Sequence, residues 1–99
     1  MPEFKRAATV GDIPEGSGVA VALGKTEVAL FHLQGQYYAI ENTCPHRGGS
    51  LGAGKLEGEL VTCPMHNWKF NVKTGRLPMG PGVATFPVRV VGDEVQVRV

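Results

Sequence analysis

The last fourteen residues, Phe86-Pro87-Val88-Arg89-Val90-Val91-Gly92-Asp93-Glu94-Val95-Gln96-Val97-Arg98-Val99, set the fold class. Val95, Val97 and Val99 alternate with Glu94, Gln96 and Arg98, and Phe86, Val88 and Val90 keep the same two-residue period ahead of the turn pair Gly92-Asp93. Successive side chains of an extended chain point to opposite faces, so the stretch reads as a β-hairpin with one buried face. The same period recurs upstream at residues 4–8, 26–33 and 37–41, and at 19–23, where Val19, Val21 and Leu23 share a face. Shorter strands are predicted at residues 56–62 and 68–72. Gly24-Lys25 has the glycine-first composition of a type II′ two-residue hairpin loop, and Gln34-Gly35-Gln36 and Lys73-Thr74-Gly75-Arg76 are further turns. No window keeps a 3.6-residue apolar period, so the expectation is an all-β protein of about eight or nine short strands, in two packed antiparallel sheets or a small barrel.

Composition bounds the function. A chain of 99 residues, 42% hydrophobic and 19% charged, makes one small domain over residues 1–99 with no room for a second. Fourteen Gly and seven Pro indicate turn chemistry rather than disorder. A net charge of +1 without runs of like sign gives no electrostatic footprint for nucleic acid. Residues 1–6 lack an apolar signal region, and the longest stretch free of polar residues and Gly, residues 19–23, is far too short to cross a bilayer, so no membrane association and a cytoplasmic location are expected.

Two irregular segments remain, where function is expected: the glycine-dense residues 44–54 and residues 77–82, which hold two Pro and two Gly. The first begins with Cys44-Pro45-His46, and Cys63-Pro64-Met65-His66 follows after the sixteen residues 47–62. Two thiolates and two imidazoles suit either one tetrahedral metal or a two-iron cluster with cysteines on one iron and histidines on the other. Paired zinc ligands usually enclose two to four residues, whereas Cys44 and His46 enclose one, which favours the cluster. No nucleophile or open metal position is evident, so an enzyme in its own right is not expected.

In all four ligand positions the chain resembles the Rieske iron-sulfur family. The resemblance extends to Arg47-Gly48-Gly49-Ser50-Leu51-Gly52, Trp68-Lys69-Phe70-Asn71, Thr74-Gly75 and Gly80-Pro81. It implies an antiparallel β-sandwich with a small cluster-binding subdomain, here about residues 43–82, and one Rieske-type 2Fe-2S cluster. Cys44 and Cys63 would hold the inner iron and His46 and His66 the outer one, with Gly48, Trp68, Gly80 and Pro81 around the cluster. Two thiolates neutralise an oxidised two-iron, two-sulfide core, whereas four leave it anionic, so the mixed site accepts an electron more readily. The high-potential, membrane-anchored members carry an extra cysteine pair, and a serine and a tyrosine after the second histidine. This chain has no third cysteine, and Trp68 and Phe70 stand at the hydroxyl positions. The resemblance therefore implies a low-potential type, toward the negative end of the roughly −150 to +300 mV Rieske range. Soluble members commonly have Gly after the second histidine, where this chain has Asn67.

The implied function is a soluble one-electron carrier, taking electrons from a reductase to a terminal oxygenase or other oxidoreductase by transient docking at the His46/His66 tip. The alternatives are the small subunit of an NAD(P)H nitrite reductase-like complex and, from another class, a zinc-stabilised interaction domain. Several residues have plainer readings. His32, in an alternating strand with no cysteine near it, is a structural histidine. Gly24-Lys25-Thr26 ends like a phosphate loop, but Val19 stands where the earlier glycine is needed. Lys69, Lys73 and Arg76 form a solvated strand face, with partner steering as the other reading. Of Tyr37 and Tyr38, one should face the core and one solvent.

Overall fold

In the computed structural model, residues 3–44, 49–64, 68–77 and 82–99 are described. They form ten antiparallel strands: β1 (Phe4–Thr9), β2 (Ser17–Leu23), β3 (Thr26–Leu33), β4 (Gln36–Glu41), β5 (Lys55–Glu57), β6 (Leu60–Thr62), β7 (Lys69–Asn71), β8 (Thr85–Phe86), β9 (Val88–Val91) and β10 (Glu94–Arg98). The all-β expectation holds. Two expected strands are each divided. Gly58, at φ +59°, turns the 56–62 segment into the β5-β6 hairpin, and Pro87, which has no amide hydrogen to pair, separates β8 from β9. The three glycine-first loops Gly24-Lys25, Gly58-Glu59 and Gly92-Asp93 place only the glycine at positive φ, which is the type II′ form. In Gln34-Gly35 both residues are left-handed, φ 54° and 76°, and the loop is type I′. The Glu15 carboxylate caps that turn by accepting the Gln34 and Gly35 amides, and these bonds hold its pKa below the ordinary value.

The strands make three sheets, β1-β10-β9, β2-β3-β4-β8 and β5-β6-β7. The four-stranded sheet is the middle layer. Its inner strand β3 packs Val28 and Leu30 into one core with Val95 and Val97, and Ala29, Phe31 and Leu33 into another with Val61, Phe70, Cys44 and Cys63. The adjoining tyrosines follow the same division. Tyr38 packs against the second core and Tyr37 against the first, so both are half-buried and neither simply faces solvent. His32 is structural as expected: its Nδ1 lies 2.8 Å from the Ile13 carbonyl and its ring stacks on Tyr37 at 4.4 Å. The buried face of the final hairpin belongs mainly to β10, because β9 is the sheet's edge and leaves Val90 half exposed.

Among the described residues one polar side chain is buried in this apolar frame. Asn42, 2% exposed, donates from Nδ2 to Glu27 at 2.8 Å, and its Oδ1 accepts the Gly52 amide at 2.8 Å and the Ser50 hydroxyl at 3.1 Å. Its backbone amide donates to the Glu27 carbonyl and its own carbonyl accepts the Leu51 amide. It thus joins β3, the end of β4 and the 3₁₀ turn Leu51–Ala53, the turn that presses Gly52 against β2. A Cβ on Gly52 would stand 2.5 Å from the Ala20 nitrogen.

Replacing Asn42 with Ala strands the buried Gly52 amide and should cost about 1–3 kcal/mol, read as a lower thermal midpoint of the loaded protein. An unchanged midpoint would show that the Asn42 network adds no stability. A second expectation concerns glycines. Gly75 and Gly82 are both left-handed, and a Cβ on either would sit about 2 Å from backbone of the other's segment, 2.2 Å from the Val83 oxygen and 2.1 Å from the Gly75 oxygen respectively. Gly58 is also left-handed but has nothing within 4 Å. Gly58→Ala should lose only the conformational cost of about 1–2 kcal/mol, whereas Gly75→Ala and Gly82→Ala should lose clearly more. Equal losses at the three positions would remove the close approach as a cause.

Candidate metal centre

Cys44 and Cys63 stand at the feet of two loops that close in the same way. Antiparallel pairing of Thr43 with Ser50 is followed by the Cys44 amide donating to the Gly49 carbonyl at 2.9 Å. Pairing of Thr62 with Lys69 is followed by the Cys63 amide donating to the Trp68 carbonyl, again at 2.9 Å. Each closure encloses four residues that begin with proline, 45–48 and 64–67. The two motifs have different cysteine-to-histidine spacing, yet their loops are equal in length. The histidine is the second enclosed residue in one and the third in the other.

Both cysteines are buried, Cys44 to 1% and Cys63 to 2% exposure, and they belong to one apolar cluster with Phe31, Leu51, Val61 and Phe70. A thiolate is the form of cysteine that ligates a metal ion. The pair is therefore suited to a metal centre held at the boundary of the second core, and the two cysteines could supply its sulfur donors. Among the described residues no group of three or more metal-ligand side chains converges; the expected partners His46 and His66 lie outside the described residues. Gly48, Gly80, Pro81 and Asn67 lie outside them too.

Of the remaining expected site residues, Trp68 is described: it directly follows the enclosed loop, is 39% exposed, and its ring lies 6.5 Å from that of Phe70. Phe70 is fully buried in the same cluster as the two cysteines and carries no hydroxyl. Behind the second loop, Glu59 accepts from Asn71 Nδ2 at 3.1 Å and pairs with Lys73 Nζ at 3.5 Å. The Asn71 hydrogen bond first, and the lysine charge second, hold the Glu59 carboxyl below its ordinary pKa. Asn71 in turn accepts the Lys73 and Thr74 amides through Oδ1, an Asx-type closure of the turn that leads to Gly75. Val83 donates back to the Gly75 carbonyl at 2.7 Å, so the 76–82 segment is tied at its base. In the sequence Asn71 appears only within the Trp68-Lys69-Phe70-Asn71 stretch, with no role of its own, and Asn42 carries no signal. The role of an Asn emerges once its hydrogen-bond partners are in place.

A model of the Rieske [2Fe-2S] domain matches residues 3–92. The chain is 36% identical over 95 residues to the ferredoxin component of the naphthalene 1,2-dioxygenase/salicylate 5-hydroxylase systems of Ralstonia sp, covering 93% of this chain and 91% of that one. A chain in the solved complex of reduced oxygenase and oxidized ferredoxin in carbazole 1,9a-dioxygenase superposes with a TM-score of 0.87 at 32% identity, covering 96% of this chain and 92% of the other. The Escherichia coli protein NirD gives a TM-score of 0.86 at 28% identity, covering 100% and 98%. Among the described residues no helix is long and apolar enough to cross a membrane. By its family match and its likeness to ferredoxin components over nearly its whole length, this chain belongs to the Rieske [2Fe-2S] family and is an electron-transfer protein of one 2Fe-2S cluster.

Proposed function

We propose that this chain is the Rieske ferredoxin of a multicomponent oxygenase system, accepting one electron at a time from a reductase and handing it to a terminal oxygenase. The observation that carries the site is the pair of buried cysteines at the feet of two identically closed loops. When bound, the cluster supplies a reversible one-electron site. Cys44 and Cys63 would hold its inner iron from the apolar side, and His46 and His66 its outer iron toward solvent. Gly48, Trp68, Gly80 and Pro81 would border it within a cluster-binding region of about residues 43–82, in a single domain spanning 1–99. The tied base of the 76–82 segment supports a cover that limits water near the cluster.

Phe70 bears on the potential. A hydroxyl that donates to a cluster sulfur draws electron density away and makes reduction easier. Phe70 offers none, which supports the low-potential type. A cytoplasmic location accords with both cysteines serving as ligands.

Electron paramagnetic resonance of the dithionite-reduced protein, with iron, sulfide and zinc counted on the same sample, tests the reading. The expected result is a rhombic spin-half signal whose average g lies below that of all-cysteine clusters, with about two irons and two sulfides per chain. Zinc with no signal would replace it with a structural metal domain. Lasting co-elution with a large reductase, rather than transient exchange, would move it to the nitrite reductase small-subunit alternative. Cys63→Ala should lose the signal and most of the iron. Phe70→Tyr should raise the potential by roughly 40 mV, the one-electron equivalent of about 1 kcal/mol of hydrogen bond, while keeping the signal. An unmoved potential in Phe70→Tyr would show that this position does not reach the cluster sulfurs.

A further inference from the structure

The charge of this chain is unevenly placed. Residues 43–82 carry five Lys and Arg against two Glu, while the rest of the chain carries five against seven Asp and Glu. Within the β5-β6-β7 sheet the register sets Lys55 opposite Thr62 and Thr62 opposite Lys69, so these three residues form one row across all three strands. The neighbouring row, Leu56, Val61 and Phe70, turns to the other face, where Val61 and Phe70 are fully buried. The Lys55-Thr62-Lys69 row therefore looks outward, and both lysines are exposed. Two strand spacings place the lysine backbones about 10 Å apart, about one Debye length at an ionic strength of about 0.1 M.

The position of this row is specific. Thr62 immediately precedes Cys63, and Lys69 immediately follows Trp68, so the row lies at the foot of the second cysteine loop. Its lysines also stand outside the ion pairs. Among the described residues these are Arg6 with Glu94, His32 with Glu15 and Lys73 with Glu59, and neither Lys55 nor Lys69 has a carboxylate within 4 Å, although Glu57 shares the outer face of β5 two residues from Lys55. Lys73, by contrast, is matched by Glu59 and lies 5.6 Å over the Tyr38 ring. Among the described residues the two row lysines are thus the cations next to the foot of the Cys63 loop, and no carboxylate contacts either. Like charges on one sheet face give no folding stability, and a field of one sign beside a reactive centre steers encounter.

We infer that the Lys55-Thr62-Lys69 row is the electrostatic part of the docking surface for the redox partner, and that the partner surface it receives is acidic. The inference rests on the carrier reading above. In the step concerned, one electron passes from the reduced cluster to the acceptor, and no bond forms or breaks.

The test follows oxidation of the reduced, cluster-loaded protein by two ferric haem acceptors, the acidic cytochrome b5 and the basic cytochrome c, by stopped flow as salt is raised. The rate with cytochrome b5 should fall about tenfold between about 10 mM and about 200 mM salt, and the rate with cytochrome c should rise. The double variant Lys55→Glu/Lys69→Glu should invert both trends with its resonance signal unchanged. A control, Lys5→Glu/Lys25→Glu, alters net charge equally away from the row and should keep the wild-type trends. Salt-independent rates in the wild type, or inversion by the control as well, would overturn the assignment to this row while leaving the carrier reading in place. No transfer to either acceptor from a protein that holds its cluster would overturn both.

Discussion

The hydrogen bonds of Asn42 hold the route from the central sheet to the first cysteine. The residue sits two positions before Cys44, and its amide oxygen is the acceptor for the Gly52 and Ser50 donors of the turn that follows the loop. Both sides of the first cysteine loop are therefore tied to one buried side chain, which is itself tied to Glu27 on β3. A buried amide with all its groups bonded gives direction that apolar packing lacks, since dispersion contacts do not specify register. Beyond it, Cys44 is held by the pairing of Thr43 with Ser50, by its own amide on the Gly49 carbonyl and by apolar packing.

The second cysteine reaches the same place by a different route. Cys63 continues β6, whose neighbours β5 and β7 form a small sheet with Val61 and Phe70 turned inward. That sheet is too small to stand by itself. It is held because β3 is buried on both faces: Ala29 and Phe31 cover the β5-β6-β7 side, while Val28 and Leu30 cover the β1-β10-β9 side. One strand thus serves two cores, and the cysteines share the core that joins the small sheet to the large one. Apolar packing in that core fixes the two cysteines relative to one another, as an electron site needs if its geometry is to change little between charge states.

The outer face of the small sheet answers to a different requirement. Toward the core it is apolar, and outward it carries the lysine row beside Cys63, then the row Glu57, Leu60 and Asn71. Beyond that row, Glu59 of the β5-β6 turn pairs with Lys73, which follows β7. An exposed Trp68 beside the row adds apolar contact area of the kind found at the centre of interfaces.

Much of the architecture was legible in the chain itself. Alternation over 86–99 and the glycine-first turns at Gly24 and Gly92 are local patterns, and local patterns are what backbone sterics read. The 26–33 strand was read as alternating, but Val28, Ala29, Leu30 and Phe31 are all buried, because β3 is covered on both faces. The division of 56–62 at Gly58 was missed because its apolar residues continue through a turn. Only the tertiary structure decided that Tyr37 and Tyr38 serve two cores, that Asn42 is a junction, that two unequal motifs close equal loops, and that Lys55 and Lys69 stand in one row. Each of these depends on which strand pairs with which and in what register, and residues far apart in sequence become neighbours only once that pairing is made.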